Sequence, residues 1–298
     1  MKCNVCFVPS SFDYNASIEE LTENFANASI LVGKMSTNFV QFSKSSDFDA
    51  SLAMAICNRP GGEIGHIYSA AYDGNMNSTV KLIQDEAAII TIANSRPPEL
   101  DERWVTLYSS KESVVLTSDP SQTVYSEKKL VGYCTYILVE NIPGNGELAA
   151  KNFKDIYQNL EFRTDDSEEK LLFNRLSKFD GGYENYIKSI TSSLEAMNHY
   201  EVIPDDSLKN VDHLNSLLSV SVTPEGKGKS NRGVDELKRD FYIDGSKYEK
   251  VNCEFHCKFE YADGLATGGK PKSNRLYFGF LKQEAKTKIA IAHIGEHW

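Results

Sequence analysis

The chain has 298 residues and a mass of 33.3 kDa, near the upper size that one hydrophobic core supports, so one large domain or two interlocked ones is expected. A hydrophobic fraction of 41% with 25% charged residues excludes a wholly disordered, collagen-like or polytopic membrane chain. A formal charge of −10 excludes a uniformly basic surface of the kind that binds nucleic acid nonspecifically.

Met1-Lys2-Cys3-Asn4-Val5-Cys6 lacks the apolar core of an export signal, and no window approaches the roughly 18 apolar residues of a spanning helix. A soluble cytoplasmic protein with no membrane partner is the expectation. Six cysteines, Cys3, Cys6, Cys57, Cys134, Cys253 and Cys257, are too sparse for a disulfide scaffold and read as thiols or metal ligands.

Ser17-x-x-Glu20 opens a capped amphipathic helix to about Ala28, and Ile30 to Gly33 reads as a buried strand. Asp47 to Cys57 is helical in composition, and Asn58-Arg59-Pro60-Gly61-Gly62 reads as its stop. From Glu63 to Glu140 the pattern predicts strands at Ile64–Tyr72, Ala88–Ala93, Trp104–Tyr108, Ser113–Thr117 and Leu130–Val139, in a largely antiparallel sheet. Pro143-Gly144-Asn145-Gly146 is the strongest internal breaker. It separates a mixed α/β domain, 1–145, from helices and a basic sheet, 146–298.

Helices are predicted over Asn152–Leu160, Asp166–Phe179 and Tyr183–Met197, then a strand over Leu214–Thr223. Residues 224–233, which include Gly226-Lys227-Gly228-Lys229-Ser230, read as a flexible basic loop without the spacing of a phosphate-binding loop. The acid pairs Asp85-Glu86 and Asp205-Asp206 read as surface. The fold class is therefore α+β: a mixed α/β N-terminal half, a helical middle and a C-terminal antiparallel sheet.

Charge is uneven along the chain. Residues 1–225 carry 18 Lys+Arg against 32 Asp+Glu, net −14, whereas residues 226–298 carry 14 against 10, net +4. A small anion site can therefore sit on an acidic body, or the basic end can simply dock on that body.

The last seventy residues read as a sheet: Asp240–Ile243, a tight Asp244-Gly245 turn, Tyr248–Phe259, Arg275–Phe280 and Lys288–His293. Alternation puts His256, Lys258 and Glu260 on one face opposite Cys253, Phe255, Cys257 and Phe259. It likewise puts Arg275, Tyr277 and Gly279 opposite Leu276, Phe278 and Phe280. His293 and His297 flank a glycine-containing turn.

This order of Arg275-Leu276-Tyr277-Phe278, a turn, and an aliphatic strand ending in His293-Ile294-Gly295-Glu296-His297 resembles the last hairpin of RelE/ParE-type bacterial toxins. Together with Arg239-Asp240-Phe241 and His256-Cys257-Lys258, it also resembles C-terminal parts of uncharacterised bacterial proteins of mobile elements and phage defence. The resemblance implies an antiviral-defence or toxin-type effector that cleaves RNA.

Metal-independent RNA cleavage needs groups that take a proton from the 2′-hydroxyl, return one to the leaving oxygen and stabilise a crowded phosphorane. His256, Lys258, Arg275, Tyr277, His293 and His297 supply that set, and nucleic acid is the expected partner of this sheet. The alternative is that these histidines only pack the strands. Zinc is a second candidate: Cys3-x-x-Cys6 and Cys253-x-x-x-Cys257 offer four thiolates for a structural site. The competing function is a noncatalytic subunit of a larger defence complex that binds a protein partner or a second copy of itself.

Overall fold

The computed structural model describes residues 2–164, 175–225, 234–265, 270–283 and 286–298. The chain divides between Ile137 and Leu138 into two compact units. In the first, β1 (Lys2–Phe7), α1 (Ile18–Met35), β2 (Val40–Lys44), α2 (Phe48–Cys57), α3 (Gly61–Tyr72) and β3 (Val80–Lys81) lead to α4 (Glu86–Ala93), β4 (Glu99–Leu100), β5 (Arg103–Tyr108) and β6 (Thr123–Val124). Helix α5 (Glu127–Glu140) runs across the division.

The six strands form one sheet in the order β3-β2-β1-β5-β4, with β6 also on β5. All pairings are parallel except β4 with β5. Period-two alternation along β1 divides its side chains between two covered faces. Phe7 joins Phe12 and, through it, Phe25 of α1, whose ring lies 4.2 Å from Phe12. Cys6 joins a cluster with Ile89 and Ala93 of α4 and Val105 and Leu107 of β5. Helices on both faces and strand order reversing between β1 and β5 make this a doubly wound sheet.

Several predicted strands are helices. Ile30–Gly33 is the last part of α1, where Leu21, Phe25, Ala28, Leu31, Val32 and Met35 form one buried stripe. Ile64–Tyr72 lies in α3, Ala88–Ala93 in α4 and Leu130–Val139 in α5, while Ser113–Thr117 forms no strand. The expected antiparallel sheet is thus a parallel one whose crossovers had been read as strands. Pro60-Gly61-Gly62 starts α3 instead of making only a turn. Asp85 and Asp206 are caps: their carboxylates accept Ala88 N at 2.9 Å and Lys209 N at 3.0 Å.

In the second unit α6 (Gly146–Ile156), β7 (Glu161–Phe162), α7 (Ile187–Asn198) and α8 (Ser207–Leu217) precede the strands β8 (Val222–Pro224), β9 (Lys238–Ile243), β10 (Ser246–Asn252), β11 (Phe255–Phe259), β12 (Asn274–Lys282) and β13 (Thr287–Glu296). Leu214–Thr223 is therefore the last turn of α8 to Leu217, an irregular stretch, and only at Val222–Thr223 a strand. Most of the helix expected over Asp166–Phe179, at 165–174, and most of the basic loop, at 226–233, lie outside the described residues.

β9 and β10 form their own hairpin, turned by Asp244 and Gly245 with φ of 50° and 77°. Two successive positive φ angles are what a tight two-residue hairpin requires. Tyr248–Phe259 is accordingly two strands in two sheets. The main sheet runs β7-β13-β12-β11-β8 and is antiparallel except for β7 alongside β13. His293-Ile294-Gly295 continues β13 instead of turning. Among the described residues no helix is long and apolar enough to cross a membrane.

Candidate functional site

The main sheet of the second unit carries His256, Lys258, Arg275, Tyr277 and His293 on its three inner strands, and His297 follows β13. Cross-strand register places His256 of β11 opposite Tyr277 of β12, and Tyr277 opposite His293 of β13, while Thr223 of β8 faces His256 from the edge. Opposed residues project to the same side of a sheet, so this rung is a single row of side chains. Ring centroids are 5.2 Å apart for His256 and Tyr277 and 6.0 Å for Tyr277 and His293.

A bulge fixes that alignment. Beyond Tyr277 the partner of Phe278 is Ile291, leaving Ala292 as the extra residue of β13.

Glu225, just beyond β8, gathers the row. Tyr277 Oη donates to its Oε2 at 3.2 Å, His256 Nδ1 lies 3.5 Å from the same oxygen, and His297 Nε2 lies 3.6 Å from Oε1. Trp298 closes over the row, stacked on Tyr277 at 4.5 Å and 5.0 Å from the ring of His293. Thr223 Oγ1 is 3.2 Å from His256 Nε2, and His293 Nε2 is 2.8 Å from the Glu296 carbonyl.

Burial sets the charge of these groups. His256 and His293 are 5% and 3% exposed. Loss of hydration pushes each imidazole down to about 4, against the opposing pull of Glu225 on His256 and of the Glu296 carbonyl on His293. Arg275 and Lys258 add to the shift of His256, and Arg175, Arg239 and Arg163 to that of His293. Both rings are held in the neutral form at pH 7, and their burial makes each a weaker base than a free imidazole. His297 is the open member, with its side chain about one-third exposed.

Lys258 and Arg275 form the next rung on the same face, two pairs along from His256 and Tyr277. Arg275 donates to the Asn274 carbonyl at 2.8 Å. Lys258 instead lines a shallow cleft of about 590 Å³ with Lys188, Ser192, Ser221, Tyr261 and the acids Glu260 and Asp263. The structure thus brings His256, Tyr277, His293 and His297 together and holds Lys258 at their margin. Glu225, Thr223 and Trp298 were missed, because nothing in a single strand's alternation reports what an edge strand or a terminal aromatic brings.

The four cysteines considered for zinc are all fully buried. Burial raises the Cys6 and Cys257 thiols and lifts Cys253 to about 12. Cys3 and Cys6 are three residues apart on one strand and so face opposite sides of it. Among the described residues no group of three or more His, Cys, Asp or Glu is placed to hold a metal.

The first unit offers a second location, since doubly wound sheets bind ligands at the carboxyl ends of their strands where strand order reverses. There Ser10, after β1, donates its backbone N to Glu86 at 2.9 Å and its hydroxyl to the same oxygen. Lys111, after β5, pairs with Asp13 at 2.9 Å and Glu20 at 3.0 Å. These charged groups are engaged with one another. Compared with known family models, curated proteins and solved structures, the chain has no match.

Proposed function

We propose that the protein is a bacterial defence or toxin-type effector that cleaves RNA without a metal. The observation behind this reading is that Tyr277, His256 and His297 converge on the one carboxylate of Glu225, with His293 on the same rung. A neutral imidazole oriented by a carboxylate is suited to take the 2′-hydroxyl proton as that oxygen attacks phosphorus. The 5′-oxygen then leaves with a proton returned by a second group of the set, and the product end is a cyclic phosphate. His297, the exposed ring, is the group that would meet substrate; Tyr277 donates to Glu225, whose carboxylate lies 3.6 Å from His297 and 3.5 Å from the buried His256.

The test is cleavage of a labelled single-stranded RNA by the purified protein. His297→Ala is expected to slow it by roughly 10²–10⁴-fold, the usual contribution of a proton-transfer group, and His256→Ala with His293→Ala to abolish it. A protein that neither binds nor cleaves RNA, or a double variant with full activity, overturns the reading. The burial of His256 and His293 favours the competing one, a noncatalytic subunit in which the row is core. A stoichiometric protein partner in a pull-down, with no RNA turnover, selects that alternative.

A further inference from the structure

We infer that Tyr277 and Arg239 form a slot for a purine base of single-stranded RNA, a slot that the indole of Trp298 fills in this structure. The inference rests on the RNA-cleaving reading and gives that site its base preference and the step that opens it. The indole stacks on Tyr277 with ring centres 4.5 Å apart and planes 15° from parallel. The Arg239 guanidinium lies over the same indole, 4.0 Å from its centre. A phenol ring and a guanidinium that both approach one ring centre so closely would overlap on a shared face, so they take opposite faces. A fused aromatic bicycle is thus held between a ring and a guanidinium, with the His293 ring 5.0 Å away. Unstacked RNA bases are taken up in this way, on aromatic rings and arginine planes, and indole matches a purine in size and shape.

Burial makes displacement of the indole a requirement of the reading. Tyr277 is fully buried, and His256 and His293 nearly so, which closes the row to substrate as it stands. Trp298 covers two of these three rings, Tyr277 and His293. Strand β13 ends at Glu296, so the Trp298 backbone lies two residues beyond the hydrogen-bonded ladder, and moving it breaks no rung of the sheet. The indole is half-buried and packs against the cluster of Phe241, Cys253, Leu281, Ala290 and Ala292. A purine entering the slot meets the same ring and the same cation, so opening exchanges one stacked bicycle for another and recovers the stacking and cation–π contacts that the indole gives up. The affinity of the parent chain is lowered by the small fraction of molecules in which the slot stands empty. Trp298 is thereby an internal competitor of the substrate base.

The experiment measures binding of the full chain to fluorescein-labelled 2′-O-methyl oligoadenylate and oligouridylate by anisotropy; neither can be cleaved, because the 2′-oxygen carries no proton. Trp298→Ala is expected to bind oligoadenylate about tenfold more tightly than the parent, within the worth of one base stack, and to gain less on oligouridylate. Adding Arg239→Gln to Trp298→Ala should remove most of that gain. A second readout leaves Trp298 in place: in Trp104→Phe, where Trp298 is the one tryptophan, saturating oligoadenylate should raise quenching of the indole by acrylamide as the ring is displaced. Affinity for oligoadenylate that is unchanged or reduced in Trp298→Ala, or indole quenching that does not rise on binding, overturns the slot. A Trp298 that only packs the sheet would lower melting temperature and affinity together on replacement. Tighter purine binding by Trp298→Ala, with no cleavage of ordinary RNA by either chain, sinks the catalytic reading and leaves the slot standing. Cleavage by the parent, with no gain in purine binding by the variant, does the reverse.

Discussion

His256 and His293 are titratable groups folded into a place where only their neutral forms are stable, and this dictates a direction of pH dependence. Their folded values, near 4, lie below the ordinary 6.5, so between those limits the unfolded chain binds more protons. The stabilisation is complete above pH 6.5 and is lost as pH falls toward 4, on the order of 3 kcal/mol per ring. The urea midpoint should fall across that window, and His293→Gln should flatten the fall; a midpoint constant from pH 7 to 4.5 contradicts the assignment. At this scale the sequence was informative about residue type and face, since alternation correctly grouped His256 with Lys258 and Arg275 with Tyr277. It could not report burial. Trp298 and the edge residue Glu225 cover a face that alternation alone marks as polar.

Among the elements, β12 bears the strictest packing demand. Gly279 lies where the chain leaves β10, and a Cβ there would stand 2.2 Å from the Asn252 carbonyl oxygen and 3.0 Å from its carbonyl carbon. Backbone cannot yield as a side chain does, so Gly279→Ala should destabilise the protein by about 1–3 kcal/mol or more, measured by denaturant unfolding. Parent-like stability would show that the β9–β10 hairpin shifts freely on the main sheet. Elements differed in legibility for a physical reason. Trp104–Tyr108 is a strand in sequence and structure, but the seven-residue apolar run Ala87–Ala93 fits a buried strand or a buried helix equally by hydrophobicity. Asp85, three residues before Ala88, was the cap signal that decides it. In α5 the spacing of Leu130, Val131, Cys134, Ile137 and Leu138, all buried, is helical, and the β-branched and aromatic content obscured it.

For the whole molecule, the formal charge of −10 opposes the approach of a polyanion such as the proposed RNA substrate. Association with RNA should therefore be unhurried at low ionic strength and quicken or hold steady as salt rises from about 10 to 100 mM, where screening shortens the range of that repulsion, while dissociation accelerates. Stopped-flow anisotropy separates the two rates, and an association rate that drops steeply with salt would mean that the basic residues outweigh the acidic body. The broad plan, α/β first and antiparallel sheet last, was legible because strand and helix signals change character along the chain. Parallel pairing was not, because it joins segments far apart in sequence that no local pattern relates. The β7–β13 pairing is the extreme case: Glu161 meets Ala290, and Lys288 pairs with Glu161. During synthesis, β7 leaves the ribosome long before its neighbour exists, so the main sheet of this unit is completed only after Ile291 has emerged. The nascent chain must carry that edge unpaired while residues 163–289 are made, and the groups that converge on Glu225 cannot meet before β12 and the residues that follow it exist.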